Sequence, residues 1–460
     1  MSAREHAVVD PLASDGNTAD IMQEVHALYT HEKDGISALA RAVDLVIHPP
    51  RRKVNVLVVG NHSAGKSSFI NWYIDDNVQR TGVAIETQGF TVVTSGNKKT
   101  LAPIKGESSV MLYPYLEPLK TRFGKPLIEN LNTCVSASTK RHFPMVDFID
   151  SPGLVDGDIS YPFDVNEAIV QFADCSDLIF VFLDPMGQAL CSRTMHVVKA
   201  LNQQHFDKLK YYLTKADTVT NPKELMKLMV QITQNIKEHI NNQHGLEIPA
   251  IWLPSDTTGS TKPSAVALSD DMNQINDVCE AIEKAIHQKV QDNLSQVEKD
   301  CEAVRAKTAE LLAKDELEKA AKHSREIVAV FFGVCAWMVP LMTFITLVGE
   351  HANWLPAIIQ DAEYVMAFVR ALHDFIGPLV FTKSPGIVET LKFVGLSVIV
   401  FLAFHSIAKF TQERTKKFTP RKRDVTAQWR RHEHILDEIL ARRQQLFVKY
   451  VRTYTPVEDT

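Results

Sequence analysis

The sequence predicts an α/β domain followed by an all-α stalk that carries an apolar hairpin. Three observations predict it. Short apolar runs alternate with longer mixed stretches up to about residue 265, as strands alternate with helices. The first of these runs ends in a glycine-spaced loop, VNVLVVGNHSAGKSSF, from Val54 to Phe69. Beyond residue 272, apolar residues recur three or four apart on either side of a long charge-free run.

Bulk composition narrows the class. A chain of 460 residues has room for two or three structural units. Its net charge of −5 argues against a nucleic-acid binder, so no nucleic-acid partner is expected. The cysteines (134, 175, 191, 279, 301 and 335) show no C-x-x-C spacing and read as reduced, buried thiols facing the cytosol. Residues 1–20 are polar, lack an apolar signal segment, and are expected to form a flexible tail.

Along the chain, Ile21, Val25, Leu28, Ile36, Leu39, Val43 and Val46 have helical spacing in two pieces, broken near Gly35. Candidate strands follow at Val54–Val59, Phe90–Thr94, Val146–Asp150, Asp177–Leu183, Lys210–Leu213 and Ala250–Leu253. A loop from Ser255 to Ser264, rich in Thr, Ser, Gly and Pro, closes the region.

Gly60, Asn61, His62, Ser63, Ala64, Gly65, Lys66 and Ser67 fit G-x-x-x-x-G-K-[ST], and Ser68 continues into a helical pattern. Strand, loop and helix come in the order a phosphate-binding loop requires. Glycines let the backbone wrap closely, so that many N–H donors converge on a polyphosphate at the positive end of the helix. Lys66 can bridge the β- and γ-phosphates, and the Ser67 hydroxyl can ligand Mg2+, the expected cofactor.

Two further motifs choose among phosphate-loop proteins. Asp150-Ser151-Pro152-Gly153 is a D-x-x-G behind a strand; Asp150 can hold Mg2+ through water and the Gly153 N–H can sense a γ-phosphate. Thr214-Lys215-Ala216-Asp217 is [NT]-K-x-D. There Asp217 can accept two hydrogen bonds from a guanine edge, and the Lys215 stem can pack over the base. Three motifs in order, each behind a predicted strand, indicate a P-loop GTPase (G) domain that binds GTP. Leu154 stands where a Ras-like enzyme has glutamine, which implies a slow basal rate.

The helical part begins at 272–326, a stalk helix with a narrow stripe of Ile275, Val278, Ile282, Ile286, Val290, Leu294, Val297, Cys301, Val304, Thr308 and Leu311. Val425–Val451 repeats the pattern through Trp429, Leu436, Ile439 and Leu446, as an antiparallel partner or a second core helix. Between them, Ile327–Gly349 runs 23 residues without a charge, enough at 1.5 Å per residue to cross a bilayer core of about 30 Å. Phe393–Ala408 is shorter and reads as a second span or a shallow insertion. Residues 358–376 carry a one-sided apolar face, an interfacial helix or a small lumenal cap. Lys319, Lys322 and Arg325 precede the first run, and a basic cluster from Lys409 to Arg431 follows the second. The positive-inside rule then puts the N- and C-terminal parts in the cytosol, on an intracellular membrane rich in anionic lipid.

The run GNHSAGKSS closely resembles the phosphate loop of dynamin-superfamily GTPases, and the likeness continues through IETQGF (85–90), Phe123-Gly124, FIDSPGL and LTKAD. It covers roughly residues 20–265 and is most similar to the branch of EH-domain proteins and sarcalumenin. The resemblance implies that Ser63 helps stabilise transition-state charge. It implies that Thr87 is the first-switch threonine holding Mg2+ and positioning water, with Thr81, Thr91 and Thr94 as nearby competitors. It also implies G-domain self-association that completes the site, and ATP as a possible alternative to GTP. Thr214 departs from the family's asparagine. The hydrophobic hairpin is more similar to mitofusin- and atlastin-like members. The expected fold is thus an α/β P-loop GTPase (G) domain plus an all-α helical stalk carrying a transmembrane or membrane-inserted hairpin. Its parts are a 1–20 tail, a 21–265 G domain with its preceding helix, a 272–326 stalk helix, a 327–408 membrane hairpin, and a 409–460 basic segment with a C-terminal stalk helix. Two rivals stay open: an anchored GTPase switch that recruits a protein partner, and a nucleotide-binding membrane scaffold with little hydrolysis.

Overall fold

Val54–Gly60 is buried along its whole length, which only a strand covered on both faces tolerates. It is strand β1 of a computed structural model that describes residues 11–81, 89–156, 161–185, 191–219, 221–240, 246–254, 272–350, 367, 371, 387–416 and 423–454. Among the described residues, the other strands are β2 (Phe90–Ser95), β3 (Ile104–Lys105), β4 (Leu131–Ser136), β5 (Val146–Asp150), β6 (Leu178–Leu183) and β7 (Leu209–Leu213). They form one sheet in the order β3-β4-β2-β5-β1-β6-β7. β1 pairs in parallel with β5 and β6, with Val58 opposite Asp150 and Phe180; β2 runs antiparallel to β5, with Thr91 opposite Asp150.

Five of the six expected strands are present. Ala250–Leu253 contributes a single parallel bridge, Leu213 to Ala250, beyond the β7 edge. β3 and β4 were absent from the sequence reading, because β3 has two residues and LNTCVS mixes polar with apolar.

The helices up to residue 237 are α1 (Pro11–Thr30), α2 (Ile36–Ala42), α3 (Lys66–Ile74), α4 (Glu107–Leu112), α5 (Glu117–Glu129), α6 (Val165–Asp174), α7 (Ser192–His205) and α8 (Pro222–Lys237). α3 is fixed by its aromatic face. Phe69 meets Phe182 edge-on at 5.2 Å and Phe148 at 6.2 Å, and Tyr73 meets Phe148 at 5.0 Å. Arg141 lies over Trp72 and donates to the Trp72 and Tyr73 carbonyls, placing a cation at the helix's negative end. The helix start, and with it Lys66, is therefore held by packing.

The chain divides into two units, Met1–Cys301 with Glu438–Thr460, and Glu302–Asp437. In the first, α1 packs beside the early part of α9 (Ile275–Glu350) and the late part of α11 (Arg423–Tyr454), numbered with α10 (Ile387–Lys416) between them. Tyr29 donates to Asp300 at 2.7 Å, and Asn17 donates to Thr453. Of the stretch expected as a flexible tail, residues 1–10 lie outside the described residues, and from Pro11 onward the chain is helical, with Thr18 buried. Gly35 separates α1 from α2; a Cβ there would lie 2.5 Å from the Tyr29 and His31 carbonyl oxygens.

Each stripe residue from Ile275 to Leu311 is buried. Tyr450 bonds to His287, Arg443 to Leu294 and Glu298, and Arg305 to Asp437, so partners fall along α11 as numbers rise along α9. The two helices are antiparallel. The Loop 255–264 lies outside the described residues.

In the second unit α9 runs without interruption through Pro340, so the expected stalk helix and the first apolar run are one helix. α10 spans the second apolar run and starts at Ile387. Trp337 meets Phe401 and Phe332 meets Phe404, which makes this pair antiparallel as well. Both helices are long and apolar enough to cross a membrane, with mean hydropathies of 2.2 and 2.0 over their most apolar windows. Apart from Ala367 and Ala371, the expected interfacial helix at 358–376 lies outside the described residues.

Candidate functional site: a phosphate-binding loop at the strand ends

The loop after β1 turns back tightly. Gly65 adopts the left-handed conformation (φ 83°) as N-cap of α3, and exposed Ser63 does so at φ 62°. Gly60 must be glycine for a different reason: a Cβ would sit 2.4 Å from the Phe182 carbonyl oxygen. The Lys66 ammonium is buried and donates to the Gly60 and Asn61 carbonyls at 3.1 and 3.0 Å. Burial pulls its pKa down to about 8, Asp150 opposes that pull, and Lys215 adds to it.

The D-x-x-G segment is zipped onto this loop. Ser151 N–H donates to Val58, Leu154 N–H to Gly60 and His62 N–H to Leu154, and Asn61 bridges Leu154 as one more rung beyond β1. Gly153 packs so closely that a Cβ would lie 2.9 Å from the His62 Cα. Ser67 Oγ donates to Asp150 Oδ2 at 2.6 Å. Asp150 is fully buried, its pKa raised by burial against the pull of Lys66 and Ser67, and its Oδ1 has no partner. A hydroxyl beside a buried carboxylate with an open oxygen fits Mg2+, which takes one or two protein oxygens and completes its shell with phosphate and water. Among the described residues no cluster of three or more His, Cys, Asp or Glu competes as a metal site.

The base-recognition segment adjoins the same loop. Thr214 Oγ1 donates to the Ala64 carbonyl at 2.8 Å, so the residue in the asparagine's place braces the phosphate loop. Lys215 has a left-handed backbone (φ 51°), places its Cε 3.9 Å from where a Gly65 Cβ would be, and donates to Asp184. Asp217 follows in a short turn with its carboxylate exposed. The structure thus gathers Gly60–Ser68, Asp150, Gly153, Thr214 and Lys215, with Asp217 at the rim.

Thr87 lies outside the described residues. Of its competitors, Thr94 is engaged at the far end of the strands, donating to Asp147 at 2.5 Å and accepting from Lys53 at 2.7 Å. Thr91 lies opposite Asp150, at the site end. Leu154 is fully buried in the rung, so no side chain at that position reaches an attacking water.

Sequence reading missed the start of α7. Thr194 donates to the Asn61 side chain, and Asp156 accepts from the Ser192 and Arg193 N–H groups. No spacing rule links residues 61, 156 and 194; only the fold brings them together.

Residues 56–205 match the Dynamin family. Human EH domain-containing protein 3 is 25% identical over 204 residues, 43% of this chain and 36% of that protein. Human EH domain-containing protein 1 is 27% identical over 213 residues, 44% of this chain and 37% of that protein. The aligned stretch spans little more than a third of these relatives' own length. Among solved structures, an oligomerised bacterial dynamin pair, described with long-range sensing and tethering of membranes, shares 14% identity over 97% of this chain and 80% of that chain at a TM-score of 0.42. Toc33 from Arabidopsis thaliana in complex with Mg2+ and GMPPNP shares 14% identity over 61% of this chain and 94% of that chain at 0.31. At these scores the structural likeness adds nothing to the sequence matches. Over residues 56–205 the chain is thus similar to the Dynamin family, with sequence relatives among the EH-domain proteins.

Proposed function

We propose that this chain is a membrane-anchored, dynamin-like GTPase, which binds GTP with Mg2+ and couples its slow hydrolysis to self-association and to remodelling, tethering or fusion of an intracellular membrane. The observation that supports the first half is the enclosed Ser67–Asp150 pair beside the phosphate loop. Two apolar helices with little burial, 11% and 0% of their most apolar windows, support the second.

In this reading the loop N–H groups bind the phosphates, and Lys66 leaves its two carbonyls to neutralise β/γ charge. Ser67, Asp150 and Thr87 would hold the metal, which supplies charge neutralisation. Ser63 would stabilise transition-state charge. Basic residues flanking the apolar helices favour anionic headgroups. G domains pairing across the nucleotide would complete a site that lacks a water-positioning glutamine.

Burial of Leu154 also favours a second reading, an anchored switch or scaffold that turns over little nucleotide, with ATP as a possible ligand. Phosphate release separates the two. It is measured with GTP and with ATP, with and without anionic liposomes, across protein concentrations. Turnover of GTP that rises with concentration and with lipid supports the assembling enzyme. A flat, slow rate rejects it for the switch, and ATP preference rejects GTP as substrate.

A further inference from the structure

Gly153 is held in an unusual way. Its neighbours are pinned by backbone bonds, Ser151 to Val58 and Leu154 to Gly60, while its own N–H has no acceptor among the described residues. Its carbonyl, in contrast, accepts from the Tyr161 hydroxyl at 2.5 Å. Tyr161 is itself braced by the Arg193 guanidinium, 5.4 Å from the ring centroid. Arg193 stands in the first turn of α7, whose start is tied to Asp156 by three donors: Ser192 N–H at 2.8 Å, Arg193 N–H at 3.0 Å and the Cys191 thiol at 3.0 Å. One residue further, Thr194 holds Asn61 of the phosphate loop. A single helix start therefore touches both loops that face the phosphates.

We propose that Tyr161, braced by Arg193, is a positioning residue for γ-phosphate recognition: its hydroxyl fixes the Gly153 carbonyl so that the unpartnered Gly153 N–H is set to meet the terminal phosphate. The proposal rests on the reading of this loop as a GTP site. In that reading only the terminal phosphate meets the Gly153 N–H, so the tether matters for the triphosphate alone. Removing it leaves Gly153 to sample orientations in which the N–H points elsewhere, and that ordering cost then falls on triphosphate binding.

The test compares dissociation constants of the full-length protein for a fluorescent non-hydrolysable GTP analogue and for fluorescent GDP. Tyr161→Phe keeps the ring and its cation contact and deletes only the hydroxyl. The expected result is a fall of about tenfold in analogue affinity with GDP affinity unchanged. Arg193→Met should shift the same ratio in the same direction, and Arg193→Lys, which keeps a cation over the ring, should restore it. An unchanged ratio, or equal weakening of both ligands, overturns the proposal. GDP binding by the variants shows that they are folded. Wild-type protein that binds neither ligand would remove the GTP-site reading itself, a failure distinct from an unchanged ratio.

Discussion

Lys66 and Asp150 are enclosed charges of opposite sign, and each moderates what burial does to the other. That mutual support makes single substitutions here asymmetric. Lys66→Ala removes the charge that must meet the β- and γ-phosphates, so GTP affinity should fall about 100-fold, read by fluorescent-nucleotide titration. Leu154→Gln tests the opposite intuition, that restoring a Ras-like glutamine would speed hydrolysis. Because that position is sealed in the rung between Asn61 and the D-x-x-G segment, the amide would be buried without a partner. The expected outcome is no gain in phosphate release and a loss of about 1–3 kcal/mol in a urea unfolding curve.

At the scale of elements, the G domain is joined to its helices through the strand ends away from the nucleotide. Asp177, just before β6, accepts from the Asn55 N–H at 2.9 Å, from Lys289 of α9 at 2.9 Å, and from Arg51 at 3.1 Å. Asn293 of α9 donates to the Arg51 carbonyl nearby. Asp177→Ala should cost about 2 kcal/mol, because the pairs are partly exposed and solvent screens them, and the loss is read in the same unfolding curve. This junction was not legible in the sequence, since its residues come from segments more than a hundred positions apart. What was legible follows from pattern strength. β1 and β6 are unbroken apolar runs because both sheet faces are covered, and the α9 stripe is legible because one face alone is buried. The strand expected at Ala250–Leu253 shrank to a bridge, since β7 ends at Leu213 and the left-handed backbone of Lys215 turns its partner strand away. At the site, the phosphate loop, Asp150, Gly153 and Lys215 were readable from spacing. The roles of Thr194, Asp156 and Thr214's hydroxyl were not, because each depends on a tertiary neighbour.

For the molecule as a whole, the question is what covers the apolar helices. Trp337 is 72% exposed, Ile399 64% and Phe344 59%, on α9 and α10. Such a surface is at home in lipid and costly in water. Placing one arginine on each helix, Phe344→Arg with Leu402→Arg, should add about 2.5–3.5 kcal/mol per residue to insertion at the bilayer centre. The variant should fail to float with liposomes while binding GTP as the wild type does. Co-flotation equal to wild type would mean that these helices do not enter lipid.

The bonds of Lys66 to its own loop carry one more implication. The ammonium is not stranded within the loop, because the Gly60 and Asn61 carbonyls accept from it where phosphate oxygens would. Nucleotide arrival is then an exchange of partners, with carbonyls traded for phosphate oxygens. Those carbonyls are not orphaned by the trade: Gly60 still accepts from Leu154 N–H and Asn61 from Ala64 N–H. The lysine is thus held ready for its ligand by the resting protein, and Lys66→Met, which leaves the Asp150 carboxylate buried without that counter-charge, should melt at a lower temperature than the wild type when both are nucleotide-free.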